Sequence, residues 1–340
     1  MYLEKINSPA DVKALGIDKL DALAGEVRSH LLQKLSDHGG HIGPNLGMVE
    51  ATVALHYVFN SPIDKMVFDV SHQSYAHKML TGRKNAFLNP AEYDEVSGYT
   101  EPSESEHDQF VVGHTSTSVS LACGLAKGRD LKGGTENVIA IIGDGSLSGG
   151  EALEGLDMAA ELNTNMIIVV NDNQMSIAEN HGGLYKNLQL LRETNGKAQC
   201  NLFKALGLDY MYVADGNNVK ALVAAFQKVK DTTRPIVVHI NTLKGKGYRF
   251  AEEQKERFHW GYPFVMETGE TKKEYQFGPD FGTHTAQLLL GEMKKDPDVV
   301  VLTAGTPGIW GWNPEMRKKA GRQFVDVGIA EETAVAMSSA

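Results

Sequence analysis

The chain has 340 residues, a length that suits one large domain or two ordinary ones. Its hydrophobic content of 42% and charged content of 22% are typical of a soluble globular protein. The formal net charge of −10 argues against non-specific binding to nucleic acid and against attraction to an anionic membrane surface. An anionic ligand would therefore need a local pocket of basic or amide groups.

The two cysteines, Cys123 and Cys200, predict no disulfide framework and favour a reducing compartment. The first residues, Met1 to Lys5, lack the apolar segment of a secretory signal peptide. No stretch of the chain reaches the roughly 18 apolar residues that are needed to span a bilayer. We therefore expect a cytoplasmic protein.

The predicted elements follow one another in an order typical of an α/β protein. Apolar residues at helical spacing predict a helix over 17–36, and the Gly- and Pro-rich segment 38–45 is predicted to be a loop. Strands and helices then alternate, which predicts βαβ units and an open, mostly parallel sheet with helices on both faces. The predicted helices cover 46–58, 115–130 and 218–230, and the predicted strands cover 66–70, 138–142, 166–170, 209–214 and 235–242.

The pattern changes after residue 248. Residues 249–276 are rich in Glu, Lys, Gly and aromatic residues without a clean period, so we expect a linker or a surface excursion. A new α/β pattern follows over 277–340, with helices over 282–295 and 331–340 and strands over 299–304 and 324–328. We therefore predict a first domain over 1–248 and the incomplete start of a second, whose remainder belongs to the same or another chain.

Two polar clusters stand where predicted strands end. Gly143-Asp144-Gly145 follows one strand, and Asn171-Asp172-Asn173 follows the next. The carboxyl ends of parallel strands meet at the ligand-binding edge of such a sheet. Carboxylate and amide oxygens there suit a hard divalent cation that also holds a diphosphate. The alternative is a simple strand-to-helix turn, with glycine for backbone freedom and aspartate as a helix cap.

Further segments accompany these two clusters in a characteristic order and spacing. They are Gly39–Gly47, Asp69–Tyr75, Leu80–Arg83, Ser103–Asp108, Gly113–Ser118, Lys244–Tyr248 and Gly328–Glu331. With them the chain resembles the 1-deoxy-D-xylulose-5-phosphate synthases of the transketolase superfamily, most specifically over about 15–250.

The resemblance implies a thiamine-diphosphate-binding fold with thiamine diphosphate and Mg²⁺ as cofactors. It implies a diphosphate- and metal-binding domain over 1–248 and the start of a pyrimidine-binding domain over 277–340. It also implies a homodimeric transferase with small-molecule substrates, in which pyruvate condenses with D-glyceraldehyde 3-phosphate and carbon dioxide is released. The product of that family feeds isoprenoid and thiamine biosynthesis.

The resemblance assigns roles to single residues. It makes Asp144, Asn173 and the Met175 carbonyl the metal ligands, and it makes His41 and His72 the groups that handle substrate protons. His259 matches a further catalytic-site histidine of the family that faces the active site. Glu331 would hydrogen-bond the aminopyrimidine ring, a role that calls for a buried carboxyl with a raised pKa. The other implied cofactor contacts are His72, Gly113, His114, Thr115, Gly145, Ser146, Asn173, Lys244 and Tyr248. The Thr/Ser run after His114 also predicts a helix start that faces an anion.

Two departures from the family pattern and two alternatives remain. Ser71 and Glu332-Thr333 differ from the usual family residues. The resemblance also implies that the groups that bind the substrate phosphate lie beyond residue 340. One alternative is the amino-terminal subunit of a split transketolase, which would release no carbon dioxide. The other is a non-catalytic paralogue that binds the cofactor and regulates. A dinucleotide-binding domain is disfavoured because no Gly-x-Gly-x-x-Gly follows an early strand.

Overall fold

The computed structural model describes residues 1–340 and contains two parallel sheets. The strands are β1 (Lys65–Phe68), β2 (Val138–Gly143), β3 (Ile167–Asp172), β4 (Asp209–Val213), β5 (Ile236–Asn241), β6 (Val301–Thr303) and β7 (Phe324–Asp326). The first sheet has the order β1-β2-β3-β5-β4, and the second pairs β6 with β7. All of these pairs are parallel, which confirms the predicted open α/β sheet.

Helices connect the strands. The α-helices are α1 (Pro9–Lys13), α2 (Leu20–His38), α3 (Gly43–Val58), α4 (Tyr75–Lys78), α5 (Asn85–Leu88), α6 (Ser118–Leu131), α7 (Gly150–Leu162), α8 (Leu184–Glu193), α9 (Leu202–Ala205), α10 (Val219–Val229), α11 (Arg249–Glu253), α12 (Phe281–Met293), α13 (Pro314–Ala320) and α14 (Glu331–Ser338). Short 3₁₀ turns lie at Leu3–Lys5, Ile17–Lys19, Pro90–Glu92, Gly145–Ser148, Lys273–Tyr275, Pro307–Trp310 and Gly321–Gln323, and a π-type turn lies at Met79–Arg83. None of these helices combines the length and the apolar character that a membrane crossing requires.

Helix α3 begins earlier than its sequence predicts. The loop was expected to extend to residue 45, but the helix starts at Gly43 with Pro44 in its first turn. Proline is tolerated there because its missing N–H would have no partner in the helix anyway. Nearly every residue of α3 is buried, so this helix is a central element that fixes the loop before it, including His41.

The first sheet is covered on both faces, as the alternating directions of the side chains along β2 show. Ile139 and Ile141 belong to a cluster of 44 buried residues that α2, α3 and α10 share. Ala140 and Ile142 point the other way into a cluster of 20 buried residues with α6 and α7. Because successive side chains of a strand face opposite sides, one run of apolar residues fills both cores.

Residues 249–276 pack against the first sheet domain. Phe258 and Phe264 belong to the larger core. Gly40 and Gly261 exchange backbone hydrogen bonds, and the amide of Ile42 donates to the carbonyl of His259. We therefore treat residues 1–276 as one body, the first unit, and residues 277–340 as the second unit; the predicted domain boundaries at 248 and 276 stay a prediction.

The second unit is small. Its core is a cluster of five buried residues, among them Leu290 and Trp312. It contacts the first unit where the Ser148 hydroxyl donates to the Ile329 carbonyl over 3.1 Å. Beside this contact, Gly328 has φ +76° and lies against the His181 carbonyl, where a side chain would not fit. The contact brings the residues before α14 to the edge of the first sheet.

Candidate active site

A cavity of about 310 Å³ opens at the carboxyl ends of the first sheet, between the two units. Its floor comes from the residues that follow β2 and β3, and its other side includes 304–306, Ile329 and Glu331 of the second unit. The predicted site residues that line it are His41, His72, Gly113, His114, Thr115, Asp144, Gly145, Ser146, Asn173, Met175, Lys244, His259 and Glu331. The structure thus brings together residues that lie as far apart as 290 positions along the chain, at the sheet edge where ligands of such folds bind.

Asp144 lies at the bottom of the cavity, directly after β2. Its side chain is buried, and Oδ2 accepts a hydrogen bond from Asn180 Nδ2 over 2.7 Å. Its Oδ1 and the Oδ1 of Asn173 are buried and have no hydrogen-bond partner within the chain. Burial, together with the charge of Asp172, raises the pKa of Asp144 to about 7. These two buried oxygens lack hydrogen-bond partners, and burial destabilises the charged form of Asp144. Both features suit the binding of a hard divalent cation.

The chain holds no cluster of three or more His, Cys, Asp or Glu side chains poised for a metal. A cation at Asp144 would therefore rely on amide, backbone and diphosphate oxygens, which is the donor set that Mg²⁺ accepts. Gly145 follows at this point and lies against Ser176, so closely that a Cβ would come within 2.9 Å of Ser176 Cα. The loop after β3, which carries Met175, is thereby packed onto the turn after β2.

Successive side chains at the end of β3 point to opposite faces, and this separates Asp172 from Asn171 and Asn173. Asn171 and Asn173 line the cavity, whereas Asp172 does not. Asp172 accepts hydrogen bonds from Arg192 and from Nε2 of His239 over 2.8 Å. Burial opposes its charge, but these two partners outweigh that effect and lower the pKa of Asp172. This charged residue anchors the end of β3 and turns its two neighbours toward the cavity.

Three histidines that line the cavity form a cluster. The ring centroids of His41 and His72 are 4.9 Å apart, and those of His72 and His259 are 5.2 Å apart. Burial lowers the pKa of His41 to about 4, and it lowers the pKa values of His72 and His259 well below their usual range. The imidazoles are therefore neutral near pH 7 and each can donate one proton and accept another.

Lys244 joins this histidine cluster to the metal side of the cavity. Its Nζ donates to the Ser176 carbonyl over 2.6 Å and lies 3.1 Å from His259 Nδ1. Burial lowers the pKa of Lys244 to about 7. The ammonium form of Lys244 would have one N–H left to donate to an anionic group bound in the cavity. Such an anion would in turn favour the charged form of Lys244.

The helix start near His114 differs from its prediction. Helix α6 begins at Ser118, and the side chain of Thr117 does not cap it. Both carboxylate oxygens of Asp69 take that role, accepting from the amides of Ser116 over 2.8 Å and Ser118 over 2.9 Å. The anion at this helix start is therefore an internal aspartate, while His114 lies exposed at the cavity rim.

The structure does not support the prediction for Tyr248, which does not line the cavity. Its ring packs among Phe250, Phe258 and Phe264, and its hydroxyl donates to the Met266 carbonyl. Phe250 on α11 and the two phenylalanines of the following segment enclose Tyr248 in the larger core.

Glu331 opens α14 and faces the cavity from the second unit. Its side chain is 49% exposed, so the buried setting that the resemblance implies is not present in this chain. The exposed His114 lies beside it, with Nε2 3.7 Å from Oε1.

Comparison with known proteins accounts for this arrangement. Residues 3–200 match the family model described as 1-deoxy-D-xylulose-5-phosphate synthase. Residues 114–291 match the model described as the transketolase thiamine diphosphate binding domain. The chain belongs to the 1-deoxy-D-xylulose-5-phosphate synthase family. The residues after β2 and β3 that form the cavity floor lie within the match to the thiamine diphosphate binding domain.

Curated members of this synthase family match nearly the whole chain. The synthase of Halothermothrix orenii is 39% identical over 375 aligned residues, covering 99% of this chain and 58% of that protein. The synthase of Caldanaerobacter subterraneus is 40% identical, with coverage of 99% and 60%. The chain thus spans about three fifths of the length of these relatives.

Solved transketolases share the fold of this synthase-family chain. The enzyme of Campylobacter jejuni superposes with a TM-score of 0.58 at 17% identity, covering 96% of this chain and 48% of that one. Transketolase of Leishmania mexicana gives a TM-score of 0.54 at 16% identity, with coverage of 93% and 61%.

Sequence reasoning assigned no role to two residues that hold the site, Asp69 and Asn180. Asp69 directly follows β1, so the strand-end rule that selected Asp144 would also have selected it. Asn180 carries no such signal, because its contact with Asp144 spans 36 positions and depends on how the loop after β3 folds back.

Proposed function

We propose that this chain supplies the cofactor site of an enzyme that condenses pyruvate with D-glyceraldehyde 3-phosphate and releases carbon dioxide. The observation that carries the proposal is the convergence of Asp144, Asn173 and the neutral histidine cluster on one cavity. The family match and the thiamine diphosphate binding domain support the same reaction. The product would be 1-deoxy-D-xylulose 5-phosphate, used for isoprenoid and thiamine biosynthesis.

In this proposal Mg²⁺ would be held by Asp144 Oδ1, Asn173 Oδ1 and the Met175 carbonyl. Gly145, Ser146, Lys244 and the segment Gly113–Thr115 would contact the cofactor. When bound, thiamine diphosphate would supply a nucleophilic ring carbon and an electron sink for decarboxylation. Glu331 would hydrogen-bond the aminopyrimidine ring from the second unit, after the rest of the enzyme has covered its half-exposed side chain.

The three histidines would handle substrate protons. Each imidazole of the cluster is neutral near pH 7, so it can donate N–H to a substrate carbonyl oxygen or accept a hydroxyl proton. His41 and His72 are close enough to act on one small substrate, since their centroids are 4.9 Å apart. His259 would orient the same substrate from the side of Lys244.

The proposal extends to the surroundings of the chain. We expect a homodimer, with the remaining carboxyl-terminal domains provided by the same or another chain. Cytoplasmic location is part of the proposal because both cysteines, buried Cys123 and exposed Cys200, are unpaired.

Calorimetric titration with thiamine diphosphate, with and without Mg²⁺, tests the cofactor site directly. Asp144→Ala should weaken the metal-dependent binding by more than about 100-fold, since even partners outside the ligand shell commonly contribute 10–100-fold. Asp157→Ala, an exposed aspartate on α7, is the matched control and should bind like the wild type. Metal-independent binding, or equal binding by Asp144→Ala, would refute the proposed site.

The reaction itself is tested with the chain completed by its carboxyl-terminal domains. Release of carbon dioxide from pyruvate that requires D-glyceraldehyde 3-phosphate is the expected result. Ketol transfer without carbon dioxide would instead identify a transketolase.

A further inference from the structure

An ion-pair cluster joins three separate parts of the chain beside the cavity. Arg317, on α13 of the second unit, donates from Nη1 to Glu256 Oε1 over 3.0 Å and from Nη2 to Glu256 Oε2 over 2.9 Å. The same Nη2 donates to Glu179 Oε2 over 3.0 Å, and Nη1 also donates to the Trp312 carbonyl. One guanidinium therefore connects the second unit, the segment after α11 and the loop after β3.

The geometry of the pair between Arg317 and Glu256 makes it stronger than an ordinary surface pair, whereas the Glu179 side chain is 60% exposed. The fork of Arg317 meets the Glu256 carboxylate with two parallel bonds, an arrangement that fixes orientation as well as distance. The side chains of Arg317 and Glu256 are 12% and 22% exposed, so water screens them only in part. The hydrogen bonds that Arg317 donates to Glu256 raise the pKa of Arg317, which keeps the group charged.

Glu179 leads directly to the proposed metal site. Its backbone forms an antiparallel bridge with Met175, whose carbonyl is one of the proposed ligands. The next residue, Asn180, donates to Asp144 Oδ2 over 2.7 Å. His181, one residue further, is packed against Gly328 of the second unit. The second unit thus holds the loop on both sides of Asn180.

We propose that Arg317 is a positioning residue for the metal site: by pairing with Glu179 and Glu256, it holds the loop 174–183 in the conformation that presents the Met175 carbonyl and Asn180 toward Asp144. The second unit, which contributes no metal ligand itself, would then set the metal affinity of the first. This inference rests on the proposed magnesium and thiamine diphosphate site.

The test measures the Mg²⁺ dependence of thiamine diphosphate binding by calorimetry for the whole chain and its variants. Arg317→Gln should raise the Mg²⁺ concentration needed for half-maximal binding about tenfold, as expected for a residue just outside the ligand shell. Arg317→Lys should recover part of this loss, because an ammonium can pair with one carboxylate but cannot form the fork. Glu179→Gln should also raise the Mg²⁺ concentration needed for half-maximal binding.

Lys319→Gln is the matched control. Lys319 lies on the same helix and pairs only with exposed Glu315, so its loss removes the same charge without touching the first unit. Its metal dependence should equal that of the wild type. Circular dichroism and urea unfolding of each variant separate a changed metal affinity from failure to fold, and Arg317→Lys and Glu179→Gln keep the test valid if Arg317→Gln does not fold.

The outcomes separate the two proposals. If the wild type does not bind thiamine diphosphate in a metal-dependent way, the proposed function fails. If the wild type does so and folded Arg317→Gln matches it, the positioning role of Arg317 is refuted while the site stands. Equal weakening by Lys319→Gln would also refute it, because the effect would then be one of net charge.

Discussion

The two units differ in how firmly they hold the residues they bring to the cavity. The first unit has clusters of 44 and 20 buried residues, and it fixes Asp144, the three histidines and Lys244 among buried neighbours. The second unit has a cluster of five and presents Glu331 half exposed. Its surface includes large apolar side chains such as Phe281, which is 93% exposed. The end of the cavity at Asp144 is therefore held by a large core, whereas the end at Glu331 is held by a small one.

Loss of a buried charge in the first unit should have the largest effect on stability. Asp108 accepts hydrogen bonds from Arg83 over 2.7 and 2.9 Å and from His77 over 2.9 Å. Burial works against its charge, but these partners outweigh burial and hold the pKa of Asp108 well below its usual range. Asp108→Ala would leave the Arg83 guanidinium without its main partner, so urea unfolding should show a loss of about 3–5 kcal/mol.

The corresponding change in the second unit should have no measurable effect on the free energy of unfolding. Glu315→Ala breaks only the exposed pair with Lys319 on α13. Comparable losses for Asp108→Ala and Glu315→Ala would contradict the contrast between a fixed and a loosely packed unit.

Substitutions that create a cavity in each core should have the next largest effects on stability. Ile141 is fully buried at the centre of β2, and Ile141→Ala should cost about 4 kcal/mol because neighbours on both sides prevent collapse. Leu290→Ala should cost about 2 kcal/mol, the low end of the range, because its small cluster borders solvent. Denaturant unfolding at pH 7 measures both, and a larger loss for Leu290→Ala would reverse the ranking of the units.

The loss of stability at acid pH should come mainly from the first unit. Burial, and then the neighbouring His77, lowers the pKa of His56 well below its usual value. Below about pH 6.5 the unfolded chain binds a proton that folded His56 does not, so the free energy of unfolding falls by about 1.4 kcal/mol per pH unit for each such histidine. The groups that face it include His77, His107, Lys13 and Arg83.

Removing that histidine isolates its share of the pH dependence. His56→Phe keeps a ring in the site and binds no proton, so its stability should fall less steeply between pH 6.5 and 5 than that of the wild type, by about one proton in the linkage slope. An unchanged slope would show that His56 does not contribute to acid sensitivity. The second unit contains a single histidine, His284.

Local sequence pattern could predict most of the first unit and much of the site. Apolar runs that end in polar residues located β2, β3 and the cavity floor, because strand direction and burial are properties of short segments. Long-range contacts could not be predicted in this way. Tyr248 belongs to an aromatic core that forms only when Phe258 and Phe264 fold back, and these residues lie in a segment without a period.

The polar partners of the site show the same limit. Asn180 meets Asp144, and Arg317 meets Glu256 and Glu179, over separations that no periodicity encodes. Such contacts follow from how loops close over the sheet edge, since side-chain hydrogen bonds between distant segments depend on the whole fold.

Glu331→Gln should have the smallest effect on cofactor binding by this chain. The change keeps the shape of the side chain and removes its charge, and the side chain lies beside the exposed His114, whose Nε2 is 3.7 Å from Oε1. A half-exposed pair contributes little, so the affinity for thiamine diphosphate with Mg²⁺ should change less than about fivefold in calorimetry. Asp144→Ala measured beside it should abolish binding. If Glu331→Gln abolished binding as well, the half-exposed glutamate would hold the cofactor as firmly as the buried aspartate does, and the two units would be equal partners in the site. The expected small change would instead show that the half-exposed glutamate adds little to cofactor affinity, in contrast to the buried aspartate of the first unit.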